Sequence, residues 1–506
     1  MKKIMTRLLS LVLLGAFIPS FVLAETWDLG KGDITVTATE TSQTVSQVNG
    51  ETKDDPDPVI TSSGKTENTV TINAETNATA NVTLENVNID TGTRGGAAIT
   101  TSGEGNVNIE LNGTNTVQSG NTHAGVEKKD NGTLTITDED KDGSLTATGG
   151  NYGAGIGGGY EGSGSNIAIE GGKVKAIGGT HGAGIGGGFG GSGSNIAIEG
   201  GKVEASSVGG GAGIGGGSLG SGSNIAVSGG EVTAQGGVGG AGIGGGQGGS
   251  GSNITISDGK VTATGAGAGA GIGGGYEGSG KGITIEGGEV TAQGDAGGAG
   301  IGGGISGTGS DVTISGDAQV KVQGGTTGRD WHKGAAIGNG GTPTTDGNEV
   351  SPNTSDLTVE GFIQIYEPGK NINTDTPDRT IEGQKGDHSW NAGEVTTAET
   401  VPESKAAAYW VSDSQGQSIP YQAQQKDGVL TVTIQADTAS LRGTIGSLRQ
   451  LEAQGVAEIR FVTNGAQSAF TLSDLLTSGT GSFTLTHDGD KVTFTLESTD
   501  ISGILK

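Results

Sequence analysis

The sequence predicts an all-β fold: a parallel β-helix solenoid of 29-residue coils, followed by a small C-terminal α+β domain. Three observations carry this. The isoleucine of a GAGIGGG word recurs at Ile156, Ile185, Ile214, Ile243, Ile272 and Ile301, each 29 residues after the last. A fixed period of that size means stacked units. Each unit also holds three short apolar pairs at period two, Ala154/Ile156, Ile167/Ile169 and Val174/Ala176 in the first, which marks half-buried strands. Finally, 106 of 506 residues are Gly and no window of the repeat array has helical apolar spacing. That composition opposes helix and suits a thin rod whose coils each bury a few small side chains.

Within a coil, Glu170-Gly171-Gly172-Lys173 must turn one strand into the next, and glycine reaches positive φ at little steric cost. The pair recurs at 200–201, 229–230 and 287–288, with Asp258-Gly259 as a variant. Asn166, Asn195, Asn224 and Asn253 hold one register, with Asp311 in the last copy. Such a column can bond amide to amide along a stack. Other repeat folds fail on composition. Leucine-rich repeats need several Leu per unit, but Leu219 stands alone between 151 and 310. A calcium-binding nonapeptide solenoid needs an Asp per short repeat, and collagen needs proline and a strict triplet; none of these is present.

Taken in order, residues 1–24 read as a secretory signal. Lys2, Lys3 and Arg7 precede an apolar run, and Val22-Leu23-Ala24 offers a small-residue cleavage site. Residues 25–95 read as a β-rich cap, with Asp54-Asp55-Pro56-Asp57-Pro58 as a surface loop. Degenerate words at Gly96-Ala97-Ala98-Ile99 and His123-Ala124-Gly125-Val126 start the β-helix proper, residues 96–366. A Gly-, Pro- and Thr-rich linker over 367–400 leads to the domain at 401–506. There, strands are expected at Val429–Ile434 and Ile459–Val462, and a hairpin at 483–496. Leu441, Ile445, Leu448 and Leu451 sit at helical spacing between them.

The net charge of −27 argues against nucleic acid and anionic membranes as partners. The absence of cysteine excludes disulfides and thiolate metal sites. No later stretch is apolar enough to insert in a bilayer. One early turn, Thr137 to Gly143, places Asp138, Asp140 and Asp142 before Gly143 as D-x-D-x-D-G. Alternate carboxylates with a Gly at the sharp turn suit Ca²⁺; the alternative is a solvated acidic corner.

Catalysis finds little support. No Arg lies between Arg94 and Arg329, and the five His are scattered at 123, 181, 332, 388 and 487 without metal or triad spacing. Binding fits better. Alternation presents three faces: a small polar one (Ala168, Ala197, Ala226, Thr255), a mixed-charge one (Lys173/Lys175, Lys202/Glu204, Glu231/Thr233, Lys260/Thr262) and a third showing only glycine, such as Gly155 and Gly157. On the third, another surface could approach the backbone closely. Just past GGG the successive repeats carry Tyr160, Phe189, Ser218, Gln247, Tyr276 and Ile305, three of the six aromatic. Their rings could stack on sugars, with Glu161 and Glu277 accepting hydroxyl hydrogen bonds; the alternative is that they simply cover a corner.

The GAGIGGG…GSxNIxIxGGxVxAxGG repeat, over roughly 95–325, resembles secreted or surface right-handed β-helix proteins of Firmicutes, described as carbohydrate-binding-domain or adhesin-like. The resemblance implies right-handed coils and an extracellular, non-catalytic protein binding a glycan or a host or matrix surface. It transfers no catalytic set. The C-terminus, Ile504-Leu505-Lys506, carries no wall-sorting motif. The alternatives are a structural stalk presenting residues 401–506, and a polysaccharide lyase or hydrolase.

Overall fold

In the computed structural model the described residues are 24–48, 50, 52–326, 333–342, 357–359, 361–368, 370–382, 409–412, 421–426, 428–434, 436–444, 448, 451–452, 455–476, 482–489, 491–496 and 499–505. The proposed signal, the His332 and His388 positions and most of the expected linker lie outside them. The chain divides into two units, residues 1–404 and 405–506.

The first unit is a parallel β-helix of about 12 coils of ~29 residues. One coil contributes Ile156–Gly157, Gly164–Ile169 and Lys173–Gly178 to three different sheets. These sheets have 13, 12 and 11 strands and are parallel except at their ends. Each residue lies over its counterpart one repeat on. Ile156 pairs with Ile185, Ile167 with Ile196 and Val174 with Val203. All six are buried, as are Ile169, Ile198, Ala176 and Ala205, so alternation has sent apolar columns inward from every sheet, as the period of two requires.

The corners follow the expected chemistry. Gly172, Gly201, Gly230 and Gly288 have φ of 82°, 77°, 79° and 78°. The Asn column is more specialised than a ladder alone. Asn166, Asn195, Asn224 and Asn253 have φ of 51–55°, the left-handed region that Asn tolerates better than most residues. The ladder pairs Ser165 with Ser194 and then Ile167 with Ile196, passing over the Asn between them. Freed from the ladder, the side chains bond along the stack: Asn195 Nδ2 donates to Asn166 Oδ1 (2.9 Å), Asn224 to Asn195 (3.0 Å) and Asn253 to Asn224 (3.1 Å). The next copy is Gly282, φ 65°, which keeps the backbone shape and ends the amide chain.

Parallel stacking begins earlier than residue 96. Thr26–Asp28 pairs with Val59–Thr61, and Ile34–Ala38 with Val70–Ala74, both parallel. Antiparallel strands Gln43–Gln47 and Lys53–Asp54 close the outer edge. The Asp54–Pro58 stretch is not purely a surface loop. Asp55 is fully buried and accepts from Trp27 Nε1 (2.8 Å) and the Glu25 amide (3.1 Å), as a buried carboxylate requires. At the other end Phe362–Tyr366 adds to the stack and Arg379–Glu382 covers it antiparallel.

The second unit is mostly strand. Five strands (Tyr409–Ser412, Thr438–Thr444, Ser482–Asp488, Lys491–Leu496, Thr499–Asp500) form one sheet and four (Gln422–Lys426, Val429–Thr433, Glu458–Val462, Gln467–Thr471) another. Phe461, Phe470, Phe483 and Phe494 fill its core. The expected helix is corrected at its start: Leu441 lies on a strand opposite Leu485, because Ala439 and Leu441 alternate inward at period two. Leu448 and Leu451 are helical, and Ile445 lies outside the described residues.

His487 is fully buried here, between Thr463 Oγ1 and Ser468 Oγ at 3.0 Å each. Burial holds its pKa below 6.5. The unfolded chain therefore binds a proton first. The contribution of neutral His487 to stability is complete above about pH 6.5 and is lost as pH falls toward the depressed folded value. Amides of Glu458–Val462 and Ser482–Asp488 should lose exchange protection between pH 7 and 5.5, after correction for intrinsic rates. His487→Gln should remove that pH dependence.

Candidate functional site: the loop seam beside the glycine strand

The glycine face is not open. Gly153 to Gly158 are buried, and so are their counterparts in later coils. A Cβ on Gly157 would stand 2.1 Å from Gly186 O, and one on Gly186 2.0 Å from Gly215 O. Backbone rests directly on backbone there, leaving no room for a side chain. The expectation of a bare strand awaiting another surface is thus wrong: the glycines admit the next coil, not a ligand.

Two loops flank this buried strand, and they are joined to each other. One precedes the GAGI word (Asn151-Tyr152, Thr180-His181, Gly209-Gly210, Val238-Gly239). The other follows GGG (Tyr160-Glu161, Phe189-Gly190, Ser218-Leu219, Gln247-Gly248, Tyr276-Glu277). The Phe189 amide donates to Tyr152 O (2.9 Å), Ser218 to His181 (2.7 Å), Gln247 to Gly210 (2.7 Å) and Tyr276 to Gly239 (2.7 Å). The result is a seam running the length of the regular array, and its side chains form the surface on that edge.

At one end of the seam four rings meet. Tyr160 stacks on Phe189 (5.8 Å, 17°) and Tyr152 on His181 (5.2 Å, 12°). The two stacks meet edge to face, Tyr152 against Tyr160 at 5.5 Å and His181 against Phe189 at 5.2 Å. These separations are those at which aromatic pairs attract. The structure therefore unites Tyr160 and Phe189, and it leaves Tyr276 and Glu277 apart, four coils or about 19 Å along the rod. Sequence reading missed Tyr152 and His181. They occupy one register, 29 residues apart like the rest, so the period itself was the signal.

Glu161 and Glu277 sit where the second loop turns, with φ of 57° and 59°. Each carboxylate accepts the neighbouring phenol, Tyr160 or Tyr276, and raises its pKa. They brace the rings as well as offering acceptors.

Between the ring cluster and Tyr276 the seam carries Val208, Leu219 and Val238. Exposures are 47% for Tyr160, 67% for Val208, 63% for Leu219, 65% for Val238 and 38% for Tyr276. These five are the large hydrophobic side chains most open to solvent among the described residues, Val48 apart. Scattered exposed apolar residues need no explanation, but a line of them on one edge does.

The acidic turn is rearranged relative to expectation. Glu110, Asp138 and Asp140 bring carboxylate oxygens within 4.8 Å of one another; Asp142 does not join them. The strand ladder sets Glu110 beside Thr137, which is how a residue one coil away enters the group. Asp142 instead faces the Gly113 amide (3.4 Å). The Glu110 oxygens accept from the Thr137 hydroxyl and the Glu139 amide, and Asp138 Oδ1 from the Gly143 amide (3.0 Å). Those bonds account for the cluster as a braced corner; three carboxylates are also half of what Ca²⁺ takes.

Fold and repeat together make this a parallel β-helix protein. The Beta helix repeat family model matches residues 141–160, 167–189, 196–218, 225–247, 254–276 and 283–305, the regular array with the seam on its edge. No curated protein and no solved structure matches the chain. No helix among the described residues is long and apolar enough to cross a membrane.

Proposed function

We propose that the protein is an extracellular, non-catalytic binding protein that engages an extended glycan along the loop seam. The observation that carries this reading is the line of exposed apolar side chains from Tyr160 to Tyr276, headed by the four-ring cluster. Rings held by stacking and by Glu161 lose little freedom when a sugar packs on them. The basic, then apolar, N-terminal residues support export. The scattered His and the lack of Arg across the array support binding without chemistry.

Val208, Leu219 and Val238 are not rings, and they favour a second reading, adhesion to a protein surface. A glycan array probed with the full chain separates the two. Under the first, Tyr160→Ala/Phe189→Ala weakens the bound glycans by about tenfold or more, while the sheet content by circular dichroism shows the array still folded. Unaltered glycan binding in that variant rejects the seam as the site. Loss of adhesion to immobilised matrix proteins in Leu219→Asp/Val238→Asp, without any glycan signal, selects the second.

A further inference from the structure

We propose that the outward face of the third sheet, near the C-terminal end of the solenoid, binds a short acidic saccharide. The site is separate from the loop seam and does not depend on it.

A groove of about 360 Å³ lies on this face, within the size range of small-ligand sites. Its floor is a grid of outward side chains fixed by strand register. One column runs Lys260, Glu289, Gln319, Phe362; the next runs Thr262, Thr291, Lys321, Gln364. Asn373, from the turn after Phe362–Tyr366, lines it as well. A wall at this position exists because the chain doubles back there to lay Arg379–Glu382 antiparallel on the stack.

The charges in the groove differ from those on the same face two coils earlier. There, Lys175 faces Glu204 (4.0 Å) and Lys202 faces Glu231 (3.3 Å), each cation answered by the carboxylate of the next coil. In the groove, no ion pair among the described residues involves Lys260, Glu289 or Lys321. Lys260 stands in register between Glu231, which Lys202 already pairs, and Glu289, whereas Lys321 stands between Thr291 and Gln364; one positive charge is thus left unanswered on a chain whose net charge is −27. Such an island draws small anions against the field of the rest.

The remaining groups specify what kind of anion. Thr262 and Thr291 offer hydroxyls, Gln319, Gln364 and Asn373 offer amides, and Glu289 accepts hydroxyl donors. Phe362, half-buried at one end, gives one flat apolar surface for a sugar ring. An acidic peptide fits less well. Peptides add to open strand edges or drop apolar side chains into pockets. Here the floor strands are paired on both sides, and Phe362 is the one large apolar group in the lining. Lys260 and Lys321 take the acidic group by charge-assisted hydrogen bonds, while the hydroxyls and amides take the ring oxygens and hydroxyls.

The test is calorimetric titration of the full chain with three hexasaccharides, one carboxylated (hexuronate), one sulfated and one neutral, and with hexa-glutamate. Binding of the carboxylated or the sulfated oligomer, whichever acid group the lysines prefer, is expected. Lys260→Met/Lys321→Met should weaken it by about tenfold or more, and raised salt should weaken it too. Tyr160→Ala/Phe189→Ala should leave it unchanged, so failure here and failure at the seam are distinguishable. Failure of both acidic sugars to bind overturns the proposal. Full affinity in the double Lys variant, or equal binding of hexa-glutamate, overturns it as well.

Discussion

Gly186→Ala is expected to cost about 4 kcal/mol or more, an exceptional figure for the addition of one methyl group. The new Cβ would lie 2.0 Å from Gly215 O with φ at +131°. Neither difficulty can be relieved locally. The atom it strikes is backbone, and that backbone is itself held by Gly215 resting on Gly244 O, 2.0 Å from a Cβ position. Parting the two coils would break ladders in the other two sheets as well. Gly64→Ala supplies the contrast. Nothing lies within 4 Å of its Cβ position, and the change should stay within about 0.5 kcal/mol. Urea unfolding followed by far-ultraviolet circular dichroism measures both. Equal midpoints for the two variants would show that the strand is not packed backbone to backbone.

Deleting residues 186–214, one full repeat, should leave a folded protein with a solenoid one coil shorter. The deletion joins Ile185 to Gly215 and restores the GAGIGGG word. Ile185 then pairs with Ile243 instead of Ile214, the same residue type on the same column. The loss is one coil's buried aliphatics, about 2 kcal/mol for each Ile, together with its interface terms, and neighbouring coils still contact only one another. Deleting 186–199 instead removes about half a turn. The coil that follows the deletion then meets the wrong partner below it and core columns are set against loops at that junction, although later coils still match one another; with two mismatched coil ends exposed inside the stack, the product should lose sheet content or aggregate. Sheet content by circular dichroism and elution volume distinguish the outcomes; similar behaviour of the two deletions would contradict same-over-same stacking.

Much of the array was legible because its period never varies between Ile156 and Ile301. Register, three strands per coil and the Gly corners all follow from repeating one line. Legibility faded where the step changes: Ile99 pairs with Val126 and Val126 with Ile156, so the step is 27 and then 30 residues. Such insertions sit in the turns and leave the ladder intact, which is why stacking reaches Thr26 in a region that reads only as generic strand. The glycine face misled for a different reason. A residue without a side chain looks the same in sequence whether it faces solvent or another backbone, and only the contact of backbone on backbone between coils decides. The acidic turn was half legible: Asp138 and Asp140 are local, but Glu110 comes from another coil through the ladder. In the second unit, Leu441 carried both a period of two and a period of three to four, and the strand partner Leu485 settled the matter.

The glycine strand also sets the protein's gauge. With carbonyls and α-carbons in direct contact from rung to rung, the axial distance between like positions cannot drift, and any two groups on the seam stand a whole number of rungs apart. A polymer whose own repeat divides that distance keeps a constant register against the backbone of the seam, while one that does not slides out of phase within a few units. If the seam engages an extended glycan as proposed, selection is then by length and pitch rather than by the shape of any single pocket.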